Sequence, residues 1–201
     1  MNLSNKLTIS RVVFIPFVVA LMFRLPEYIW GATQYNDFQI RYGMGIALFL
    51  FILASLTDFF DGHLARKNSW VTNFGKFLDP IADKLLVLSI LIAFTGKNYI
   101  TALIPILTLA RDFVVTGLRL LAAEQNVVIA ANKGGKVKTF VQMLAIIATF
   151  VYAIMYPYHS LSNIENVAFF YLYNILLWLS LLLGIQSAYE YIKEAKQYLK
   201  N

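Results

Sequence analysis

Long apolar runs alternate along the chain with short polar interruptions. Six runs are of bilayer-crossing length: 9–24, 43–62, 79–96, 99–121, 138–156 and 167–190. A hydrocarbon core of about 30 Å needs roughly 20 helical residues, so each run predicts a membrane-spanning helix. The expected fold is all-α, a polytopic membrane protein of six transmembrane helices forming a single domain over 1–201. Pro16 predicts a kink in the first helix. The LMFRLPEYIW that follows offers no small-residue cleavage site, so this run reads as a retained helix. The interruptions at about 63–78 and 122–137 read as loops, and SAYEYIKEAKQYLK reads as an amphipathic extension on the membrane surface.

Composition sharpens this picture. Hydrophobic residues make up 59% of the 201 and charged residues only 14%, which excludes an ordinary water-soluble domain. The formal charge of +6 raises the question of nucleic acid, but the Lys and Arg are scattered between apolar helices and form no basic face, so nucleic acid is not an expected partner. Their distribution instead orients the chain. Eleven lie at the termini and in the second and fourth connections, against Arg24, Arg41 and Lys97 on the other side. The positive-inside rule therefore puts both termini, and the 63–78 segment, in the cytoplasm. Lys84, Arg111 and Arg119 fall within the apolar runs. Cysteine is absent, which rules out a disulfide framework and a thiolate nucleophile or metal ligand.

At the end of the second run stands DFFDGHLAR, and GKFLDPIADK opens the third. Asp58 and Asp61 are spaced i,i+3, Asp79 and Asp83 i,i+4, so each pair shares one helical face. Two adjacent helices can thus aim four carboxylates into one space near the cytoplasmic end of the bilayer. Four such charges would repel strongly unless neutralised. Pairing with Lys84, Arg66 and Arg111 as helix glue leaves too few buried cations for all four. Two divalent cations balance them, and an oxygen-only donor set favours Mg²⁺ first and Mn²⁺ second. Gly62 and Ala65 lie on the face of Asp58 and Asp61 and let a ligand approach the backbone; Arg66 can reach a phosphate, and Gly75 keeps the next segment open to close approach. The pattern suits a nucleotide diphosphate held with its metals.

These residues carry a resemblance. Asp58-x-x-Asp61-Gly62-x-x-Ala65-Arg66, eight residues, then Gly75-x-x-x-Asp79-x-x-x-Asp83 matches every fixed position of the CDP-alcohol phosphotransferase signature. The resemblance implies that the four acids hold two metal ions on the diphosphate of a CDP-linked substrate. It implies that Asp83 is the general base, that Gly62, Ala65, Arg66 and Gly75 contact the nucleotide, and that the protein is a homodimer. Four further segments, NLSNKLTISR, NFGKFLDPIADKLL, ARDFVVTGLRL and AANKGGKVKT, are similar to the bacterial branch of the family that transfers phosphatidyl from CDP-diacylglycerol to glycerol 3-phosphate. NLSN departs from that branch's N-x-P-N pattern. The implied setting is the bacterial inner (cytoplasmic) membrane among its lipids, with the site facing the cytoplasm.

Arg111, Arg119, Lys136 and Lys138 form a second basic set beyond the nucleotide motif. An intramembrane Arg is a functional candidate by default, although Arg111 also has Asp112 beside it as an ion-pair partner. This set is expected to take the phosphate of the acceptor, which fits glycerol 3-phosphate. Inositol phosphate would serve the same charges, whereas serine would not use them in this way; both remain alternative acceptors. A cation transporter built on the acidic pairs is the distant alternative, in which Gly62, Ala65, Arg66 and Gly75 have no evident task.

Overall fold

The computed structural model describes residues 3–68, 73–124, 133–155 and 163–196; side chains at 3–8, 11, 58–68, 73–80, 83, 123–124, 133 and 163–166 lie outside the description. Every regular element is helical among the described residues: α1 (Leu3–Met22), α2 (Ala32–Phe38), α3 (Met44–Asn68), α4 (Asn73–Gly96), α5 (Leu103–Glu124), α6 (Lys133–Met155) and α7 (Asn163–Ala195). Each of the six apolar runs falls largely in one of the six long helices. Among the described residues three stretches are long and apolar enough to cross a membrane: Ala32–Thr57, Gly134–Met155 and Val167–Ala195. Val12–Met22 and Lys84–Gly96 are the apolar parts of α1 and α4 within the described residues, and α5 is interrupted by Arg111, Asp112 and Arg119.

The outsides of the helices are as apolar as their contacts. Phe17, Phe49, Phe113, Leu120, Phe140, Ile175 and Leu182 are all exposed, a surface that suits lipid rather than water. This is a membrane protein.

Two compact units make up the chain, Met1–Ala93 and Phe94–Asn201. In the first, Ile15, Val18 and Met22 form the buried stripe of α1, and Ala47 and Phe51 that of α3, at the three- and four-residue spacing of a helix face. The connection after α1 is not the loop that its polar residues predict. Gly31, at φ 79°, starts α2, and a π-helical turn, Gln39–Gly43, carries α2 straight into α3. Polar side chains in this stretch satisfy the end of α1. Gln39 Nε2 donates to the carbonyls of Leu21 (3.2 Å) and Met22 (3.3 Å), and Tyr35 donates to that of Ala20 (2.6 Å). Asn36 both accepts from the Leu25 N–H (2.8 Å) and donates to the Leu25 carbonyl (2.9 Å). The Ala20, Leu21 and Met22 carbonyls are among the last four that a helix end leaves without an i+4 partner, whereas Leu25 lies beyond the helix.

Gly43 makes this junction possible. A Cβ there would stand 2.4 Å from the Leu21 carbonyl oxygen. Gly43→Ala must push α1 away from the π turn, so a loss of about 1–3 kcal/mol is expected, read as a lowered Tm in detergent. An unchanged Tm would show that the junction is slack.

In the second unit α7 is the central element, packed against both α5 and α6. Its buried residues, Tyr173, Leu177, Ser180, Leu181, Gly184, Ser187, Ala188, Tyr191 and Ala195, trace one helical stripe. Phe94, Tyr99, Phe150, Tyr152, Phe170 and Tyr173 interlock edge-on or tilted at one end, where Tyr173 donates to the Tyr99 carbonyl (2.8 Å). The expected surface extension is described as far as residue 196, and 197–200 lie outside the described residues. Its described part continues α7, burying Ala188, Tyr191 and Ala195 against Val115, Leu118 and Ala122 of α5.

Candidate active site

The acidic signature falls on two consecutive helices of the first unit. Asp58, Asp61, Gly62, Ala65 and Arg66 belong to the last eleven residues of α3; Gly75, Asp79 and Asp83 belong to the first eleven of α4. The backbone there is helical, which keeps the i,i+3 and i,i+4 spacing of the two acid pairs on single faces. The helices also run further than the polar pattern predicts. Of the expected 63–78 loop, 63–68 end α3 and 73–78 start α4, so Gly75 sits in a first helical turn. Gly62 is tolerated inside α3, at the ordinary cost for helical glycine of about 1 kcal/mol. The side chains of all eight signature residues lie outside the described residues. Among the described residues no group of three or more His, Cys, Asp or Glu gathers as a metal site.

The basic set belongs to the second unit, where its geometry is defined. Arg111 and Asp112 are adjacent on α5. Arg111 NH1 donates to Asp112 Oδ1 at 2.9 Å, while its Nε donates to the Gly184 carbonyl and its NH2 to Ser187 Oγ, each at 3.0 Å. Lys138, on α6, brings its Nζ to the same Asp112 Oδ1 at 3.4 Å. These side chains are largely shielded, with exposures of 13% for Arg111, 17% for Asp112 and 7% for Lys138. Both basic side chains pack on Gly184, where a Cβ would meet Lys138 Cγ at 3.5 Å and Arg111 Nε at 3.7 Å in ordinary van der Waals contact.

Arg119, two turns further along α5, is exposed and engages α7 differently. Its guanidinium carbon lies 4.9 Å from the centroid of the Tyr191 ring, and its NH2 donates to the Tyr191 hydroxyl. Lys136 is exposed on α6. Two residues from Lys138, it stands about 200° around the helix and does not share its face.

The structure thus brings Arg111 and Lys138 together, sets Arg119 about 12 Å along the same helix, and separates Lys136 from them. α5 begins at Leu103, so Arg111 is nearer the start of its helix than the run 99–121 predicts. Sequence reasoning takes Asp112 only as a partner for Arg111 and misses Gly184, Ser187 and Tyr191. Their signal is the spacing of three and four residues along α7 among bulky apolar neighbours.

Comparison with known proteins places the chain. Residues 1–186 match the CDP-alcohol phosphatidyltransferase family. A Bacillus subtilis protein named CDP-diacylglycerol–glycerol-3-phosphate 3-phosphatidyltransferase is 38% identical over 199 residues, covering 99% of this chain and 97% of the relative. A Rickettsia bellii protein of the same name is 38% identical, covering 98% and 97%. A Mycobacterium tuberculosis protein named probable phosphatidylglycerophosphate synthase is 38% identical over 158 residues, 79% of this chain and 69% of its own. With its complete acidic signature on α3 and α4 and a match over nearly its whole length, the chain belongs to the CDP-alcohol phosphatidyltransferase family.

Proposed function

We propose that this protein transfers the phosphatidyl group from CDP-diacylglycerol to glycerol 3-phosphate, releasing CMP and forming phosphatidylglycerophosphate. The observation that carries the reading is near full-length similarity to transferases bearing that name in a chain whose acidic signature is intact. The family match runs through both compact units, so residues 1–201 are read as one catalytic domain.

In this reading Asp58, Asp61, Asp79 and Asp83 take the diphosphate of the donor together with two divalent cations, Mg²⁺ or, second, Mn²⁺. The donor set fits hard cations, being four carboxylates in a sequence without cysteine. When bound, the cations neutralise the diphosphate and the charge that develops on the leaving CMP. Gly62, Ala65, Arg66 and Gly75 seat the cytidine nucleotide. Asp83 accepts the proton of the acceptor hydroxyl as its oxygen bonds to the phosphorus that carries the lipid. The bond from that phosphorus to CMP breaks in the same displacement. Arg111, Lys138 and Arg119 take the acceptor phosphate through charge-assisted contacts, with Lys136 as an outlying member.

The acceptor assignment predicts a selective defect. Charge-assisted hydrogen bonds contribute roughly 1.5–3 kcal/mol each, so Arg119→Ala is expected to raise the glycerol 3-phosphate KM by about 10- to 150-fold and to spare CDP-diacylglycerol binding. A KM within twofold of wild type would remove Arg119 from the site. CMP release with glycerol 3-phosphate, inositol phosphate and serine in turn tests the acceptor itself. Release with glycerol 3-phosphate is expected; release with another alcohol and none with this one would overturn the assignment within the same family.

The reading extends to six membrane spans, both termini in the cytoplasm of a bacterial cell, and a homodimer in its inner membrane. Six long helices and the eleven-to-three charge asymmetry support the topology. In a chain without native cysteine, Ser69→Cys should react with a membrane-impermeant thiol reagent only after cells are opened. Reaction in intact cells would invert the topology.

A further inference from the structure

We propose that Asp112 is a positioning residue for the acceptor: its carboxylate holds Arg111 and Lys138 side by side so that both address one phosphate. This rests on the reading of the basic set as the acceptor phosphate site. Asp112 matches no position of the acidic signature.

The geometry points to this role in three ways. First, two cations from different helices converge on a single atom, Asp112 Oδ1, at 2.9 Å and 3.4 Å. Like charges brought together in a low-dielectric setting repel, and a carboxylate set between them is what lets both remain there. Second, Arg111 is fixed against rotation as well as paired. Its Nε and NH2 are held by the Gly184 carbonyl and Ser187 Oγ, so NH1 on Asp112 completes a three-point grip on the guanidinium. A guanidinium has five N–H donors, and three such bonds leave capacity for a phosphate. Third, the cluster is shielded without being sealed: Arg111 and Asp112 keep 13% and 17% exposure, which allows an anion to approach groups that are otherwise desolvated. With its Oδ1 covered by two cations, the carboxylate presents little repulsion to that anion.

A helix clamp and a positioning residue predict different kinetics. Asp112→Asn keeps the shape and removes the charge; Asp112→Glu keeps the charge with one more methylene. The full chain in detergent is assayed for the KM of glycerol 3-phosphate, the KM of CDP-diacylglycerol, turnover and Tm. The Asn variant is expected to raise the glycerol 3-phosphate KM about 10-fold or more, with the CDP-diacylglycerol KM within about twofold, and the Glu variant to recover most of the loss. An unchanged acceptor KM in the Asn variant would overturn the proposal. So would an equal rise in both KM values with a lowered Tm that Glu does not repair, which describes a clamp. Should the Asn variant not fold, Ser187→Ala decides, since it releases one anchor of Arg111 at constant charge. A rise of about 3- to 10-fold in the acceptor KM alone supports positioning, and no rise overturns it. Wild-type protein that turns over donor without glycerol 3-phosphate would fail the functional reading and this inference together; glycerol 3-phosphate dependence with unaffected Asp112 variants would fail the inference alone.

Discussion

Asp58→Asn, Asp61→Asn and Asp79→Asn, made one at a time, are each expected to lower CMP release by about 10²-fold or more while the chain still folds. Metal affinity and activity commonly fall by 10- to 100-fold when even an outer partner of a ligand is lost, and loss of a ligand itself should cost at least as much. In the proposed metal site each change removes one of the four negative charges that would balance two divalent cations, so the remaining three would no longer neutralise them. Exhaustive chelation should abolish activity in the wild type, and added Mg²⁺ should restore it. Near-normal release from any two of the three variants, or activity indifferent to chelation, would remove the metal site from the account. Tm in detergent supplies the control for folding.

Asp83→Asn is expected to behave differently. If Asp83 receives the acceptor proton, its loss should lower turnover by about 10²–10⁴-fold, the usual contribution of a positioned general base, and leave CDP-diacylglycerol binding close to wild type. A variant that loses donor binding yet keeps turnover at saturation would make Asp83 a metal ligand alone. Asp79 lies one turn away on the same face of α4, so the pair Asp79→Asn and Asp83→Asn gives the sharpest contrast between holding the donor and moving the proton.

How far the sequence reveals this protein depends on what kind of signal each part leaves. The six long helices are legible because a bilayer-length apolar run is an uninterrupted signal, independent of tertiary partners. The α2 helix and its π turn are not, since QYNDFQIRYG reads as a polar connection until Gln39 and Tyr35 are seen satisfying the end of α1 and Asn36 the backbone just beyond it. The long continuation of α3 and early start of α4 are obscured by Gly62 and Gly75, which suggest breaks that the helices do not make. The SAYEYIKEA segment illustrates the same point at the other end. Its charged residues suggest the membrane surface, whereas Ala188, Tyr191 and Ala195 bind it to α5.

The candidate site divides along the same line. Four acids at helical spacing within 26 residues form a local pattern that sequence carries in full. The basic set is drawn from two helices and held by a third, so linear spacing predicts its arrangement poorly. Lys136 and Lys138 look alike in GGKVKT but fall on different faces of α6, and Asp112, Gly184 and Ser187 acquire meaning only when α5, α6 and α7 pack together.

The central claim is transfer of a phosphatidyl group, and following the label of radioactive glycerol 3-phosphate tests it most directly. Purified protein with CDP-diacylglycerol and a divalent cation should move that label into the lipid phase, with one CMP released per labelled lipid and both products lowered about 10²-fold or more in Asp58→Asn. CMP release that leaves the label in water would contradict transfer, as would labelled lipid formed without CMP.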